Sequence, residues 1–253
     1  MGGKFEAKLS DARIFSQIVD AISALIDEGN YYFSPDGLSF RAMDPSHVAM
    51  VDLELNKAFF EDYVCEEDFV LGVNFDELSK ITSRAGAGDA LTLETSEEEG
   101  GRLRIKLMGK ATRIFTLPIL SLESEELPRL EIDFNVKTSL DSDLLKQALK
   151  DAGIAGEYVE IIAEDNTLKI ESRGERQSAQ ISLEKDGEGV HEYNVSESSK
   201  SMYAIDMLSK MIKAASLSDV VTVEFSSDMP MKFSFGLPGQ GKLTYFLAPR
   251  IEK

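Results

Sequence analysis

The feature of this sequence that most constrains its fold is an internal repeat, offset by 129 to 130 residues. Phe5–Ser10 resembles Phe134–Ser139, and both segments alternate apolar and polar residues as a strand does. Further along, Leu78–Ile81 (LSKI) returns as Leu208–Met211 (LSKM), 130 positions later. We interpret the repeat as two similar domains; the alternative is a coincidence within a single α+β domain.

Each half carries two segments with the periodicity of an amphipathic helix. Apolar residues recur at steps of three and four and form one stripe, as Ile14 and Ile18 do in the first segment. Ser10 and Asp11 precede that helix as N-cap residues, and Ser139–Asp141 does the same in the second half. The four predicted helices span residues 10–28, 74–85, 141–153 and 201–216.

Short, alternating, β-rich runs separated by turn residues surround these helices. Pro35–Gly37 and Glu164–Asn166 stand at matching positions and have the composition of hairpin turns, so neighbouring strands should be antiparallel. Each half is expected to run strand, helix, three strands, helix, three strands. The predicted fold class is α+β, with two similar domains of antiparallel sheets and two helices each, the helices covering one face.

A segment that lacks a clean helical or strand period separates the halves. It contains Pro118, Pro128 and several glutamates, which is typical of an ordered, extended connector rather than a glycine-rich coil. The predicted organisation is an N-terminal domain over 1–116, a connector over 117–133 and a C-terminal domain over 134–253. The acidic runs Glu97–Glu99 and Glu123–Glu126 are interpreted as solvated loops.

The charge of the chain excludes some classes of partner. The chain has 45 acidic and 27 basic residues, a formal net charge of −18, whereas a protein that binds nucleic acid by neutralising phosphates is normally basic. The same charge argues against docking on an anionic membrane, and no apolar run reaches the length of a membrane span. Cys65 is the single cysteine, so neither a disulfide nor a thiolate zinc site is expected, and a reducing, intracellular compartment is the simplest interpretation.

The segment Met43–Val48 is the most suggestive of catalysis, because an Asp, a Ser and a His lie within four residues. It supplies no nucleophile elbow or oxyanion hole, so we interpret it as a polar loop at the edge of a hairpin. Only His47 and His191 could add histidine ligands, and no metal site is expected. Gly236–Gly241 lacks the Lys-Ser/Thr of a phosphate-binding loop and is predicted to be a turn. From these motifs we expect neither nucleophilic catalysis nor a metal or nucleotide cofactor.

The positions of the basic residues along the chain are more informative than their number. The four predicted helices contain 7 basic and 10 acidic residues, so the rest of the chain carries most of the excess negative charge. Most of the helix acids lie at or near helix ends, where they act as caps. A solvated helix face remains an alternative explanation for the basic residues.

Three motifs together resemble one known family. They are Met43–Val48 (MDPSHV), the closing segment 243–252 (LTYFLAPRIE) and the helix that contains Leu78–Ile81. Over essentially the whole chain, the sequence resembles the proliferating cell nuclear antigen (PCNA) family of sliding DNA clamps, in an archaeal-like form. The resemblance implies the DNA clamp fold and a head-to-tail homotrimeric ring of six similar domains that encircles duplex DNA, with helices lining the hole.

The resemblance also implies which residues meet a neighbouring chain and DNA. Thr112–Leu117 would pair with Ser178–Leu183 of the neighbouring chain and cover two strand edges. The implied interface residues are Ile114, Phe115, Ile181 and Leu183. The implied DNA-facing residues are Lys80, Arg84, Lys146, Lys150, Lys210 and Lys213. The first helix departs from the eukaryotic pattern, because Ser16, Gln17 and Ser23 occupy positions that are often lysine.

In this family three segments form a pocket for partner peptides: the His47 loop (Met43–Val48), the connector and the C-terminal segment (243–252). The partner peptides have the pattern Q-x-x-(I/L/M)-x-x-(F/Y)-(F/Y). The implied partners are DNA polymerase, the clamp loader, flap endonuclease and DNA ligase, and an apolar cleft of this kind suits a short motif with aromatic anchors. The implied pocket residues are Met43, His47, Val48, Leu127, Pro230, Phe246, Ala248 and Pro249.

The predicted function is that of a processivity clamp with no chemistry of its own, inside an archaeal cell, or in the nucleus if the source is eukaryotic. One alternative is a peptide-binding subunit of a heteromeric or checkpoint-type ring. A more remote one is a carboxylate-based, metal-dependent hydrolase that uses acids such as Asp44, Asp52 and Glu54.

Overall fold

The structure is a computed structural model that describes residues 5–96, 101–123 and 127–251. It divides into two compact units. Unit 1 comprises residues 1–45, 51–127 and 237–243, and unit 2 comprises residues 46–50, 128–236 and 244–253. The acidic run Glu97–Glu99 and the connector residues Glu125 and Glu126 lie outside the described residues.

The described residues follow the same order of elements in both halves: one strand, a helix, five strands, a helix and three strands. The helices are α1 (Ala12–Ser23), α2 (Phe75–Thr82), α3 (Ser142–Ala152) and α4 (Ile205–Met211). The strands of the first half are β1 (Phe5–Leu9), β2 (Glu28–Ser34), β3 (Gly37–Met43), β4 (Ala49–Asn56), β5 (Asp62–Cys65), β6 (Phe69–Asn74), β7 (Ala90–Ser96), β8 (Arg102–Met108) and β9 (Thr112–Pro118). Those of the second half are β10 (Val136–Asp141), β11 (Tyr158–Ala163), β12 (Thr167–Arg173), β13 (Ser178–Glu184), β14 (Val190–Val195), β15 (Ser199–Ala204), β16 (Val220–Phe225), β17 (Met231–Leu237) and β18 (Gly241–Leu247).

Unit 1 contains a five-stranded antiparallel sheet in the order β5-β1-β7-β8-β9 and a second set of strands in the order β6-β2-β3-β4. The β2–β3 hairpin closes where Ser34 pairs with Gly37, with the predicted Pro-Asp turn between them. Gly37 has φ +146°, and a Cβ there would overlap the Leu55 carbonyl oxygen, so only glycine fits.

Unit 2 repeats this arrangement. One antiparallel sheet has the order β13-β12-β11-β15, and the strands β14-β10-β16-β17 lie side by side. The predicted hairpin turn at Glu164–Asn166 joins β11 to β12, where Ala163 pairs with Leu168. Two similar units of antiparallel strands with two helices each confirm the predicted fold class.

Each helix buries one stripe, as its periodicity predicts. α1 buries Phe15, Ile18 and Ile22 and packs beside α2, where the Ser79 hydroxyl donates to Asp20 Oδ1 at 2.5 Å. The α1 N-cap is Asp11, which accepts from the Arg13 N–H at 3.0 Å, and the Arg13 guanidinium beside it lowers the pKa of Asp11. In unit 2, α3 packs beside α4. Among the described residues, no helix combines the length and apolarity needed to cross a bilayer.

Several predicted boundaries were wrong. The first helix ends at Ser23 rather than at 28, and residues 201–204 form the end of β15 rather than a first helical turn. Each half contains five strands between its helices, because β5, β6, β14 and β15 were not predicted. His191 lies in β14, with its Nε2 2.6 Å from Asp141 Oδ1.

A cluster of aromatic rings forms part of the unit 1 core. Tyr31, Phe33, Phe40, Phe69 and Phe75 are linked by ring contacts with centroids 4.9 to 6.1 Å apart. The Tyr31 hydroxyl is buried here and has no hydrogen-bond partner in the structure. Burial raises the pKa of Tyr31, so this hydroxyl is a protonated donor left without an acceptor.

We expect Tyr31→Phe to raise the free energy of unfolding by about 1 kcal/mol, because an unsatisfied buried hydroxyl is removed and the ring is kept. Tyr203→Phe is the matched control with the opposite sign: Tyr203 is equally buried, but its hydroxyl donates to the Met229 carbonyl at 2.8 Å. Removing that bond should lower stability by about 1 kcal/mol. Urea unfolding measures the change in the free energy of unfolding for both variants. Destabilisation by Tyr31→Phe would contradict the conclusion that the Tyr31 hydroxyl is unsatisfied.

Candidate nucleic-acid and protein interfaces

Basic residues occupy corresponding positions on the helices of the two units. Lys80 in the last turn of α2 and Lys210 in the last turn of α4 are 130 residues apart, the repeat length. Arg84 and Lys213 follow the ends of these α-helices, in a turn and in a short 3-10 helix. The sequence placed Arg84 inside a helix over 74–85, whereas the observed helix α2 ends at Thr82 and Arg84 follows it. Cations at helix C-termini also interact favourably with the helix dipole, which accounts for part of this placement.

The six candidate DNA-facing cations differ in their ionic partners. Lys146 Nζ lies 3.9 Å from Asp143, and Lys210 Nζ lies 3.4 Å from Asp206, each pair on its own helix. The side chains of Lys80, Arg84, Lys150 and Lys213 are exposed and form no salt bridge within the described part of the chain. Ser16, one of the α1 positions that departs from the family pattern, is 8% exposed and faces the core. Four unpaired cations are thus available to an anionic partner.

Two strands at sheet edges present apolar side chains. β9 pairs only with β8, and β13 only with β12, among the described strands. Ile114 of β9 is 48% exposed, and Phe115 and Ile181 are half-buried, while Leu183 faces the core. A seven-residue edge with exposed isoleucine is a template for pairing with another strand.

One side chain connects the β9 edge to the end of α2. The Arg113 guanidinium donates to the Asp89 carboxylate through Nη2 and to the Arg84 carbonyl oxygen at 2.7 Å through Nη1. Asp89 also accepts from the Gly86 N–H at 2.7 Å, so the same carboxylate closes the turn after α2. The start of β9 and the turn that carries Arg84 are therefore held together.

In unit 2 the His47 loop and the C-terminal segment contact each other directly. The Ala248 N–H donates to the Val48 carbonyl at 2.8 Å. His47 has φ +55°, a left-handed conformation that is uncommon for a non-glycine residue, and its side chain is exposed. Val48 is 39% exposed and Ala248 is exposed, whereas Phe246 is buried.

The remaining pocket candidates lie in both units. In unit 2, Pro230 is half-buried and follows Met229, whose carbonyl accepts a hydrogen bond from the Tyr203 hydroxyl. In unit 1, Met43 and Leu127 are half-buried, and the Leu127 carbonyl accepts from Arg41 Nη1 at 3.3 Å. Unit 2 therefore brings His47, Val48, Phe246 and Ala248 into one local structure.

The described part of the connector is hydrogen-bonded to β6. The Leu120 N–H donates to the Gly72 carbonyl at 2.8 Å as an isolated antiparallel bridge. A Cβ at Gly72 would overlap the Leu120 carbonyl oxygen, so glycine allows the close approach. An isolated glycine in the apolar strand run Val70–Val73 was a signal for such a contact.

The described acidic residues and Cys65 give no support to a hydrolase or to another catalytic site. Among the described residues no group of three or more His, Cys, Asp or Glu side chains could hold a metal ion. Asp52, a candidate metal ligand, is paired with Arg41 at 2.6 Å, and Asp44 is buried. Burial raises the pKa of the Cys65 thiol, which favours its protonated form.

Comparison with known proteins identifies the family. The model of the N-terminal domain of proliferating cell nuclear antigen matches residues 4–126, and the model of its C-terminal domain matches residues 128–250. The chain belongs to the proliferating cell nuclear antigen family. The resemblance seen in the sequence motifs is thereby confirmed.

Archaeal proteins are among the relatives of this PCNA-family chain. It is 38% identical over 249 residues to the "DNA polymerase sliding clamp" of Pyrococcus furiosus, an alignment that covers 98% of this chain and 99% of the relative. The "DNA polymerase sliding clamp 1" of Pyrobaculum aerophilum is 36% identical over 243 residues, which cover 96% of each chain.

Solved structures share the fold over the full length. PCNA from Thermococcus kodakaraensis has a TM-score of 0.92 at 24% identity and covers 97% of this chain and 100% of that one. A chain of the PCNA2–PCNA3 complex from Sulfolobus tokodaii has a TM-score of 0.90 at 28% identity and covers 98% and 100%.

Proposed function

We propose that this chain is a DNA sliding clamp that tethers replication and repair enzymes to duplex DNA. The observation that carries the proposal is the match of both halves to the two PCNA domains, in relatives named as DNA polymerase sliding clamps. Such a protein catalyses no reaction. A bound enzyme is kept at high effective concentration near its template, which raises the number of turnovers in each binding event.

We infer that three copies form a closed ring of six similar domains. The support is the pair of apolar strand edges, β9 and β13, which lie in different units and could pair between chains in a head-to-tail manner. Ile114, Phe115 and Ile181 would be covered in that contact, with Leu183 supporting it from the core. We propose the domain limits 1–116, 117–133 and 134–253 for each copy.

Ile114→Glu and Ile181→Glu should each convert the trimer to monomers in sedimentation velocity. A carboxylate placed in an apolar strand-pairing interface is desolvated without a partner, which costs about 2–5 kcal/mol per contact. Val70→Glu is the matched control, because Val70 is a similarly exposed apolar strand residue (49%) outside the proposed interface. An intact trimer in both interface variants would contradict the assignment of β9 and β13 as the subunit interface.

We propose that DNA is held by encirclement and not by strong charge attraction. The net charge of −18 opposes bulk binding, whereas the exposed Lys80, Arg84, Lys150 and Lys213 supply scattered, weak phosphate contacts. Lys146 and Lys210 would contribute less because acidic neighbours on their own helices partly neutralise them. Weak contacts allow sliding, and a closed ring prevents dissociation.

The decisive experiment is loading, by a clamp loader with ATP, onto nicked circular DNA and onto linear DNA of the same length. We expect retention in gel filtration at moderate salt on the circle only, and release when the circle is cut. Because each cation makes one weak contact, Lys150→Ala should leave retention on circles nearly unchanged. Equal retention on linear DNA would contradict encirclement.

We further propose that partner proteins such as DNA polymerase, the clamp loader, flap endonuclease and ligase bind through short peptides with aromatic anchors. The candidate contact residues of unit 2 are His47, Val48, Pro230, Phe246, Ala248 and Pro249. The candidates of unit 1 are Met43 and Leu127. The support is an exposed, partly apolar surface that includes Val48 and Ala248, beside a segment without regular secondary structure.

Ala248→Asp should abolish measurable binding of a peptide containing Q-x-x-L-x-x-F-F in calorimetry while the trimer persists, because a charge at the contact is desolvated on binding. Phe246→Ala should have the same effect on binding, with some loss of stability since Phe246 is only 7% exposed. Ala87→Asp places the same charge at an exposed alanine outside the proposed contact and serves as the control. Unchanged affinity in Ala248→Asp would refute the contact.

A second candidate is a subunit of a heteromeric ring, favoured by the similarity to a chain of the PCNA2–PCNA3 complex. Sizing of the purified chain separates the two: a homotrimer supports the first proposal, and a persistent monomer supports the second. With archaeal relatives and a role on genomic DNA, we place the protein inside an archaeal cell.

A further inference from the structure

The C-terminal segment Ala248–Arg250 has no regular secondary structure, yet unit 2 holds it at three points. The Ala248 N–H bonds to the Val48 carbonyl and the Arg250 N–H to the Met202 carbonyl, both at 2.8 Å. The guanidinium carbon of Arg250 lies 3.7 Å from the centroid of the Tyr158 ring. Segments outside regular secondary structure are normally more mobile than the strands they follow, so these contacts require an explanation.

The Arg250 contact spans two neighbouring strands. Met202 lies in β15 opposite Glu160 of β11, and Tyr158 is two residues before Glu160, so the ring and Glu160 share one face of the sheet. The Arg250 backbone is bonded to β15, and its side chain crosses to the ring on β11. A planar guanidinium can stack on the face of a ring, which a lysine ammonium cannot do in the same way.

The residues between the two hydrogen bonds are stiff. Pro249 has a fixed φ and no N–H, and a residue before proline, here Ala248, is restricted to extended conformations. Ala248 is exposed and Pro249 half-buried. With Arg250 fixed on the sheet, these two residues are presented in a single conformation.

We propose that the stacking of Arg250 on Tyr158 is a positioning contact that pre-organises Ala248 and Pro249 for a partner peptide. This inference rests on the proposed function, because it concerns the same peptide-binding surface. Neither Arg250 nor Tyr158 needs to touch the peptide. Their contact lowers the cost of ordering the segment when the peptide binds, and pre-organisation of this kind raises affinity without new contacts.

The test is a double-mutant cycle on the full-length trimer, with a fluorescein-labelled peptide that contains Q-x-x-L-x-x-F-F. Tyr158→Leu and Arg250→Ala should each weaken binding about two- to fivefold, the range expected for an exposed cation–π contact. The double variant should be no weaker than either single variant, because both remove the same contact. Tyr158→Phe keeps the ring and should bind as the wild type does.

Two further measurements separate positioning from general destabilisation. Hydrogen exchange of the C-terminal peptide should be faster in Tyr158→Leu than in Tyr158→Phe, while the trimer remains intact in sedimentation. Two outcomes would overturn this inference alone, provided that the wild type binds the peptide. One is that Tyr158→Leu binds the peptide with wild-type affinity. The other is that the losses of the two single variants add in the double variant. A wild-type trimer that binds no such peptide would overturn the peptide-binding proposal as well.

Discussion

An antiparallel strand has two hydrogen-bonding edges, and the rest of this structure depends on how the outermost edges are satisfied. β5 is only four residues long, β6 is bridged by Leu120 of the connector, and β15 receives a hydrogen bond from Arg250. β9 and β13 have seven residues each and a single described neighbour, and β9 exposes Ile114. We propose that these two edges pair with other copies of the chain.

The distribution of charge follows from the same architecture. An acidic protein cannot bind DNA by bulk attraction, but the helices place unpaired cations such as Lys80 and Lys150 on their solvent side. A ring needs no tight grip, since closure holds the DNA. The total charge is therefore a poor guide to the partner, and the positions of individual cations matter more.

Local patterns predicted the centres of the helices, the two hairpin turns and the repeat, because periodicity and turn chemistry are properties of neighbouring residues. Of the four missed strands, β5 has only four residues and β6 is interrupted by Gly72. β15 (SKSMYA) continues directly into α4 without a turn residue, so the sequence predicts its last residues as the first turn of that helix. Only its pairing with β11 makes it a strand. For the candidate site, the motif Met43–Val48 indicated the family, but nothing near Tyr158 in the sequence marked it as the support for Arg250.

The sequence by itself determined that two similar α+β domains form and, through its motifs, which family they belong to. Apolar spacing and turn residues act over a few positions and can be seen along the chain. The tertiary structure decided which edges stay open, that Asp44 is buried and Asp52 is paired, and that Arg250 stacks on Tyr158. Those outcomes depend on strand register and burial, which join residues far apart in the chain.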